Sequence, residues 1–292
     1  MPRVLCFGEV LWDLLPRGRF LGGAPLNVAY HLARLDCAPT LVSAVGRDEL
    51  GREAQAAMTS AGIDTAAVVP HPTLSTGTAE VRLDAGGHAS FTLPQPVAWD
   101  EIAVEVALGQ PAPAAIVFGT LALRSPANRI SLIRLLNAFP QAQVVCDLNL
   151  RPPFVDLVPL ASLLGRITLL KLNADEARRL YGRSPDAADW QDISAVLSAR
   201  FPGAVVCITL GDDGACLRDG AIWLQVAAPP VTVRDTVGAG DAFTAALVAG
   251  WLRATGAQPD WPRILRAACA LGGLVASQDG AQPAYGDFRV EW

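Results

Sequence analysis

Lysine is almost missing from this chain. Of its 23 basic residues all but one are arginine, and Lys171 stands alone. Charge of either sign is scarce: 17% of the 292 residues are charged, against about 25% in an average globular domain, while 51% are hydrophobic. So apolar a composition excludes disorder as the main state. The net charge of −5 supplies no basic face for nucleic-acid phosphates. Histidine is confined to His31, His71 and His88, none at metal-ligand spacing, so metal hydrolysis and Ser/His/Asp chemistry lack their usual residues. The six cysteines (Cys6, Cys37, Cys146, Cys207, Cys216 and Cys269) contain no CxxC pair. Several lie in apolar runs, as small buried hydrophobes do in a reducing compartment, which argues against disulfides and zinc. No apolar run approaches the roughly 20 residues of a bilayer-spanning helix. The strand-like Val4 to Phe7 stands where a signal peptide would be basic and then apolar. The chain therefore reads as cytoplasmic, with neither a membrane nor a nucleic-acid partner.

What is present is an alternation. At usual domain sizes this length suggests roughly two domains or one large α/β unit with an appendage. Strands are expected at Val4 to Phe7, Leu41 to Val45, Ile116 to Phe118, Val144 to Cys146, Leu169 to Leu172 and Val205 to Thr209. Helical patterns run from Leu26 to Leu35, Leu50 to Ala61, Ala127 to Phe139, Ala174 to Tyr181, Ile193 to Arg200, Asp241 to Arg253 and Ile264 to Ser277. Strand and helix repeated this way predict a largely parallel sheet covered on both faces, with ligands at the carboxyl ends of its strands. Two regions break the rhythm. Val10 to Leu14 follows the first strand almost at once, and Thr78 to Leu83 with Ala89 to Leu93 reads as a hairpin around Asp84 to His88. With no helices between them, these segments predict a small separate sheet that serves as a lid.

The segment Asp235-Thr236-Val237-Gly238-Ala239-Gly240-Asp241-Ala242-Phe243 opens an alanine-rich helix. Gly238, Ala239 and Gly240 are small residues at a helix start, where unpaired N–H groups point outward at the positive end of the dipole. Such an end holds a phosphate or a developing negative charge, and the missing side chains let the anion come close. Asp241, just inside that end, is placed to accept a proton from a hydroxyl that attacks phosphorus. A lone Gly-x-Gly would be an ordinary turn; the whole string argues for the anion site. It is no Walker A loop, because Gly240 is followed by Asp241 and not by Lys-Ser/Thr. The first strand ends in Gly8-Glu9, which removes the dinucleotide fingerprint and with it a nicotinamide-dependent oxidoreductase.

The string closely resembles the C-terminal signature of the ribokinase-like (PfkB) carbohydrate kinases. Gly22-Gly23-Ala24-Pro25-Leu26-Asn27-Val28-Ala29 resembles that family's N-terminal signature in the form usual for fructokinases. Intermediate motifs fall in family order, so the resemblance spans nearly the whole chain. It implies a ribokinase-like three-layer α/β/α sandwich over residues 1–292, with a mainly parallel central sheet and a β-sheet lid from about 10–24 and 68–98. It also implies ATP and magnesium as cofactors, a small-molecule sugar as substrate, and a homodimer through the lid, whose open edges would gain from pairing.

Site roles follow from the same resemblance. Asp13 in Gly8-Glu9-Val10-Leu11-Trp12-Asp13 would accept hydrogen bonds from sugar hydroxyls, which suits a carboxylate with several acceptor sites. Gly23 would let backbone approach the sugar, and Asn27 would both donate to it and accept from it. Arg151, in Asp147-Leu148-Asn149-Leu150-Arg151, would touch substrate or the transferring phosphate with its planar fork. Asn173 and Glu176 match the family's Asn-x-x-Glu motif and would organise magnesium through water, while the same pair reads as a capping box. Thr209, Gly211 and Gly214 resemble the nucleotide loop. The stretch from Cys269 to Ala281 resembles the one that closes over adenine, although relatives commonly carry Asn or His at Cys269. A potassium-type ion is implied near the backbone carbonyls of Asp235 and Val237. Lys171, two residues before Asn173, would reach ATP phosphates with a compact ammonium.

The glycine-alanine-proline form of the N-terminal motif and Phe118-Gly119-Thr120-Leu121-Ala122-Leu123 look fructokinase-like. The other members weighed are a ketodeoxygluconate kinase, for which Arg82 would be the lid cation, a ribose kinase, and a nucleoside kinase, for which Phe91 would supply part of a slot. A non-catalytic sugar-binding regulator on the same fold would keep the pocket and lose Asp241.

Overall fold

The computed structural model of the chain describes residues 1–15, 18–83, 89–155, 157–158, 161–182, 189–254 and 258–292. The Asp84 to His88 turn lies outside them, and so do the side chains of residues 81–91, Arg82 and Phe91 included.

Three strands open the chain, β1 (Arg3–Phe7), β2 (Leu11–Leu15) and β3 (Gly18–Gly22), followed by α1 (Ala24–Ala33). Next come β4 (Ala38–Gly46), α2 (Glu49–Ser60), β5 (Val68–His71), β6 (Gly77–Leu83), β7 (Ala89–Thr92) and the one-turn α3 (Glu105–Leu108). The middle holds β8 (Ala115–Gly119), α4 (Pro126–Ala138), β9 (Gln143–Asp147), β10 (Leu169–Asn173), α5 (Ala174–Tyr181) and α6 (Trp190–Arg200). The last part contains β11 (Val205–Thr209), β12 (Ala215–Asp219), β13 (Ile222–Val226), α7 (Ala239–Arg253) and α8 (Trp261–Ala276).

Nine strands form the main sheet in the order β13-β12-β11-β10-β9-β8-β1-β4-β5. From β5 to β11 every pair is parallel; β12 and β13 are added antiparallel at the edge. The pleat sends successive side chains to opposite faces, so each central strand feeds two cores. Val4 and Cys6 of β1 join the core under α1, α7 and α8, and Leu5 and Phe7 join the one under α4 and α6. Strands buried on both faces read as uninterrupted apolar runs, the signal by which these were expected. The result is the three-layer α/β/α sandwich.

A second sheet of four strands, β3-β2-β6-β7, is the small β unit. Its β2 runs antiparallel to β3 and parallel to β6, and β6 and β7 form the expected hairpin. One boundary needs correction. Val68 to His71, assigned to the lid by the range 68–98, pairs in parallel with Ser43 to Gly46 at the edge of the main sheet, because Val68 is buried against the core beneath α2. The β12–β13 hairpin was not expected at all. All six cysteines are free and buried, and no described helix is long and apolar enough to cross a membrane.

Candidate active site

The C-terminal ends of the interior strands β1, β9 and β10 meet the start of α7 on the carboxyl-terminal side of the main sheet. Gly238 caps α7 in the left-handed region, φ 78°. A Cβ there would run into Ala281, so only glycine lets the helix begin against that segment. The amide of Ala239 turns back to the Thr236 carbonyl at 3.3 Å, which removes it from the expected anion site. Gly240, exposed, and Asp241 are then the first-turn residues whose amides a helix start leaves for a ligand.

Asp241 is half-buried, and its Oδ2 accepts from Asn27 Nδ2 at 2.8 Å. Burial and the charge of Asp147 push its carboxyl up to about 6, against the hydrogen bond from Asn27 and the cations Lys171 and Arg151. Asn27 spends its other side on Gln282, whose Nε2 donates to Asn27 Oδ1 at 2.9 Å. Both polar atoms of Asn27 are thus already partnered within the protein.

Lys171 is no surface charge. It is 6% exposed, and its Nζ donates to both carboxylate oxygens of Asp147 at 3.1 and 3.2 Å. The two are register partners on adjacent strands β10 and β9. Asp147 Oδ2 also accepts from Thr244 Oγ1 at 2.7 Å, which ties the pair to α7. Burial alone would lower the ammonium's pKa, but Asp147, Glu176 and Asp241 outweigh it and hold it above the ordinary lysine value. The ammonium lies beneath the helix start, 3.2 Å from where a Cβ on Gly240 would stand.

Asp13 projects from strand β2 of the four-stranded sheet, half-buried, its Oδ2 2.8 Å from where a Cβ on Gly22 would stand. Burial raises its carboxyl and Arg151 lowers it. Arg151 is exposed, yet its charge acts on Asp13, Asp241 and Glu9 alike. It therefore overlooks the same space. Gly23, φ 120°, is pressed against the Glu9 carbonyl, where any side chain would collide.

Glu9 escaped the sequence reading as a site residue. It is 3% exposed; Oε1 accepts from the Ala24 amide at 3.2 Å, and Oε2 is buried without a partner. Burial pushes its carboxyl up to about 7, helped by Asp241 and opposed by backbone amides and Arg151. The one available signal was an acid inside the apolar run from Val4 to Leu11. Its titration has a measurable consequence. The unfolded chain ionises Glu9 near 4.5, whereas the fold keeps the proton to about 7, so the stability linked to it is full below 4.5 and lost as pH rises through about 7. Relative to Glu9→Gln, the wild type should lose on the order of 3 kcal/mol of unfolding free energy between pH 4.5 and pH 8. Parallel pH profiles in denaturant titrations would contradict this.

Asn173 and Glu176 form a reciprocal capping box at the start of α5: Asn173 Oδ1 accepts from the Glu176 amide and Glu176 Oε2 from the Asn173 amide, both at 2.9 Å. Glu176 Oε1 takes the Leu150 amide at 2.7 Å, which pins the segment carrying Arg151. Burial raises the Glu176 carboxyl, and the amides of Asn173 and Leu150 oppose it. With Glu176 spent on backbone, Asn173 is the exposed member. Among the described residues no cluster of three or more His, Cys, Asp or Glu could cage a metal. An ion near Asn173 would therefore have to keep its waters and take its other ligands from phosphates, as magnesium does.

Thr209 ends β11 with its hydroxyl on the Leu172 carbonyl at 3.2 Å. Gly211 is exposed at the turn. Gly214 closes that turn onto Gly211, amide to carbonyl at 3.1 Å, and packs on the backbone after β13. The loop that resembles the family's nucleotide loop is thus built as a β11–β12 hairpin turn, with Gly211 at its open side. Cys269 belongs elsewhere: it is buried in the core shared by α7 and α8, and burial pushes its thiol up to about 11. Asp235 Oδ1 and Oδ2 accept from the amides of Val237 and Gly280 at 3.0 and 3.2 Å, stitching the loop before α7 to the segment after α8.

Residues 17–285 match the pfkB family carbohydrate kinase. The fructokinase of Salmonella typhimurium is 30% identical over 298 residues, which cover 97% of this chain and 95% of that protein. The aminoimidazole riboside kinase of the same species, strain LT2, is 28% identical, over 97% of this chain and 92% of its own. Among solved structures, a double mutant of the fructokinase from Vibrio cholerae, in its fructose-, ADP- and potassium-bound form, superposes with a TM-score of 0.80 at 25% identity, covering 97% of this chain and 94% of that one. This chain belongs to the pfkB family of carbohydrate kinases.

Proposed function

We propose that the protein is an ATP-dependent fructokinase that phosphorylates a primary hydroxyl of D-fructose. The observation that carries the reading is Asp241, at the start of α7 beside the Gly240 and Asp241 amides, raised to about 6 by its surroundings. That value lets it be ionised at neutral pH and still accept a proton readily. In the reaction the hydroxyl oxygen forms a bond to the γ-phosphorus, the bond from phosphorus to the bridging oxygen of ADP breaks, and the hydroxyl proton passes to Asp241. The helix-start amides, with the Lys171 ammonium below them, stabilise negative charge on the transferring group. Asp13 and Arg151 orient the sugar, and closure of the four-stranded sheet keeps out water that would otherwise take the phosphoryl group. Magnesium, held through water by Asn173, would neutralise charge on the ATP oxygens, and a potassium-type ion would sit at the loop of Asp235 and Val237.

Fructose is favoured over other acceptors by the Gly23-Ala24-Pro25 form of the N-terminal signature and by the fructokinase relative. A nucleoside-type acceptor is the second reading, favoured by the aminoimidazole riboside kinase relative. Phosphoryl transfer from ATP to D-fructose, D-ribose, ketodeoxygluconate, adenosine and aminoimidazole riboside separates them. Fructose should give the highest kcat/KM; a higher value for either nucleoside would replace this assignment by the second.

A further inference from the structure

Behind Asp241 lies a line of two side-chain amides, Gln282 to Asn27 to the carboxylate, with hydrogen bonds of 2.9 and 2.8 Å. Gln282 belongs to the segment after α8, which α1 grips with a single face. Asn27, Tyr30 and His31 share that face by their three- and four-residue spacing. Tyr30 donates its hydroxyl to the Pro283 carbonyl at 3.0 Å. His31 meets the Ala281 carbonyl through Nε2 at 3.0 Å and the Tyr285 hydroxyl through Nδ1 at 2.7 Å. The other side of the segment backs onto Gly238. Gln282 is therefore fixed with respect to both the sugar-side helix and the helix start that carries Asp241.

An amide has a donor side and an acceptor side, so this line has two self-consistent arrangements. With Asp241 ionised, Gln282 donates to the Asn27 carbonyl and Asn27 donates to the carboxylate, as observed. With Asp241 protonated, its O–H donates to the Asn27 carbonyl, and the Asn27 amino group then donates to the Gln282 carbonyl. Both amides turn over together and every hydrogen bond is kept. We infer that Gln282 is a positioning residue for Asp241: through Asn27 it sets which side of the amide faces the carboxylate, and it lets the pair reverse when the carboxylate takes up a proton. The inference rests on the reading of Asp241 as the base. The other groups facing Asp241 are Asp147 at the end of β9, Arg151 just after it, Lys171 on β10, and Glu9 after β1. A change at residue 282 leaves all of them in place.

The test is Gln282→Glu, which offers Asn27 acceptors only and so turns its carbonyl toward Asp241, an arrangement that requires a proton there. The Asp241 carboxyl, followed by 13C NMR titration and assigned against Asp241→Asn, should titrate about one pH unit or more higher than in the wild type. Gln282→Met, which removes the bond without imposing a direction, should move it less. Repeating Gln282→Glu in an Asn27→Leu background isolates the bare effect of the added charge, and the shift should then fall by half or more. Equal shifts in the two backgrounds, or equal shifts for Glu and Met, would overturn the relay. An Asp241→Asn enzyme with turnover near wild type would instead overturn the base, an outcome read independently of the titration.

Discussion

Asp241→Asn is expected to lower turnover by about 10²–10⁴-fold, the usual contribution of a general base, while leaving the KM for ATP and for sugar within a few-fold. Asparagine keeps the size and the hydrogen-bonding partner at Asn27, so binding survives. What it loses is a lone pair basic enough to take the hydroxyl proton. The wild-type kcat should rise through about pH 6 as the Asp241 carboxyl ionises and should be flat just above it. Turnover near wild type in the variant, or an acid limb that persists in its residual activity, would remove Asp241 from the role.

The second large effect concerns the single lysine. Lys171→Met leaves Asp147, 4% exposed, with a buried charge whose side-chain partner among the described residues is then the Thr244 hydroxyl. Removing one member of a buried ion pair costs about 3–5 kcal/mol, because the remaining ion is uncompensated. Stability measured by denaturant unfolding should fall by that amount, and Asp147→Asn in the same chain should recover more than half of it. Unfolding curves for Lys171→Met that coincide with the wild type would show that the pair contributes nothing. Because the ammonium also lies beneath Gly240, the double variant should recover stability without recovering turnover.

How much of this was legible beforehand depends on the distance over which each feature is determined. The central strands and the helices between them were readable because each is buried on a full face or on both, which writes an apolar run or a 3.6-residue period into a short window. The start of α7 was readable because small residues at consecutive positions are a local signal, and Gly238 is required there by its left-handed backbone against Ala281. The β12–β13 hairpin carries neither signal: Arg218, Asp219 and Gln225 interrupt it, and it is stabilised by pairing at the sheet edge. The boundary at Val68 was missed because a strand's membership in one sheet or another is decided by its partner β4 and not by its own residues.

The site divides along the same line. Asn173 and Glu176 were read both as a capping box and as a site pair, and the box is a local pattern that the fold builds as read. The Lys171 ammonium is read from the sequence as a group near the phosphates, while its pairing with Asp147 is a matter of strand register across 24 residues of sequence and leaves no local signal. The links from Asn27 to Asp241 and from Gln282 to Asn27 span 214 and 255 residues, and no window in the sequence contains both ends. Cys269 shows the converse: a position matched to a family motif, yet turned into the α7–α8 core by its place on the apolar face of α8.

The most direct measurement on the account is the product of the wild-type protein incubated with ATP, magnesium and D-fructose, followed by 31P NMR. The expected product is a fructose monophosphate ester on a primary hydroxyl, formed one for one with ADP. ADP accompanied by inorganic phosphate, with no ester on fructose or on any other acceptor tested, would contradict it.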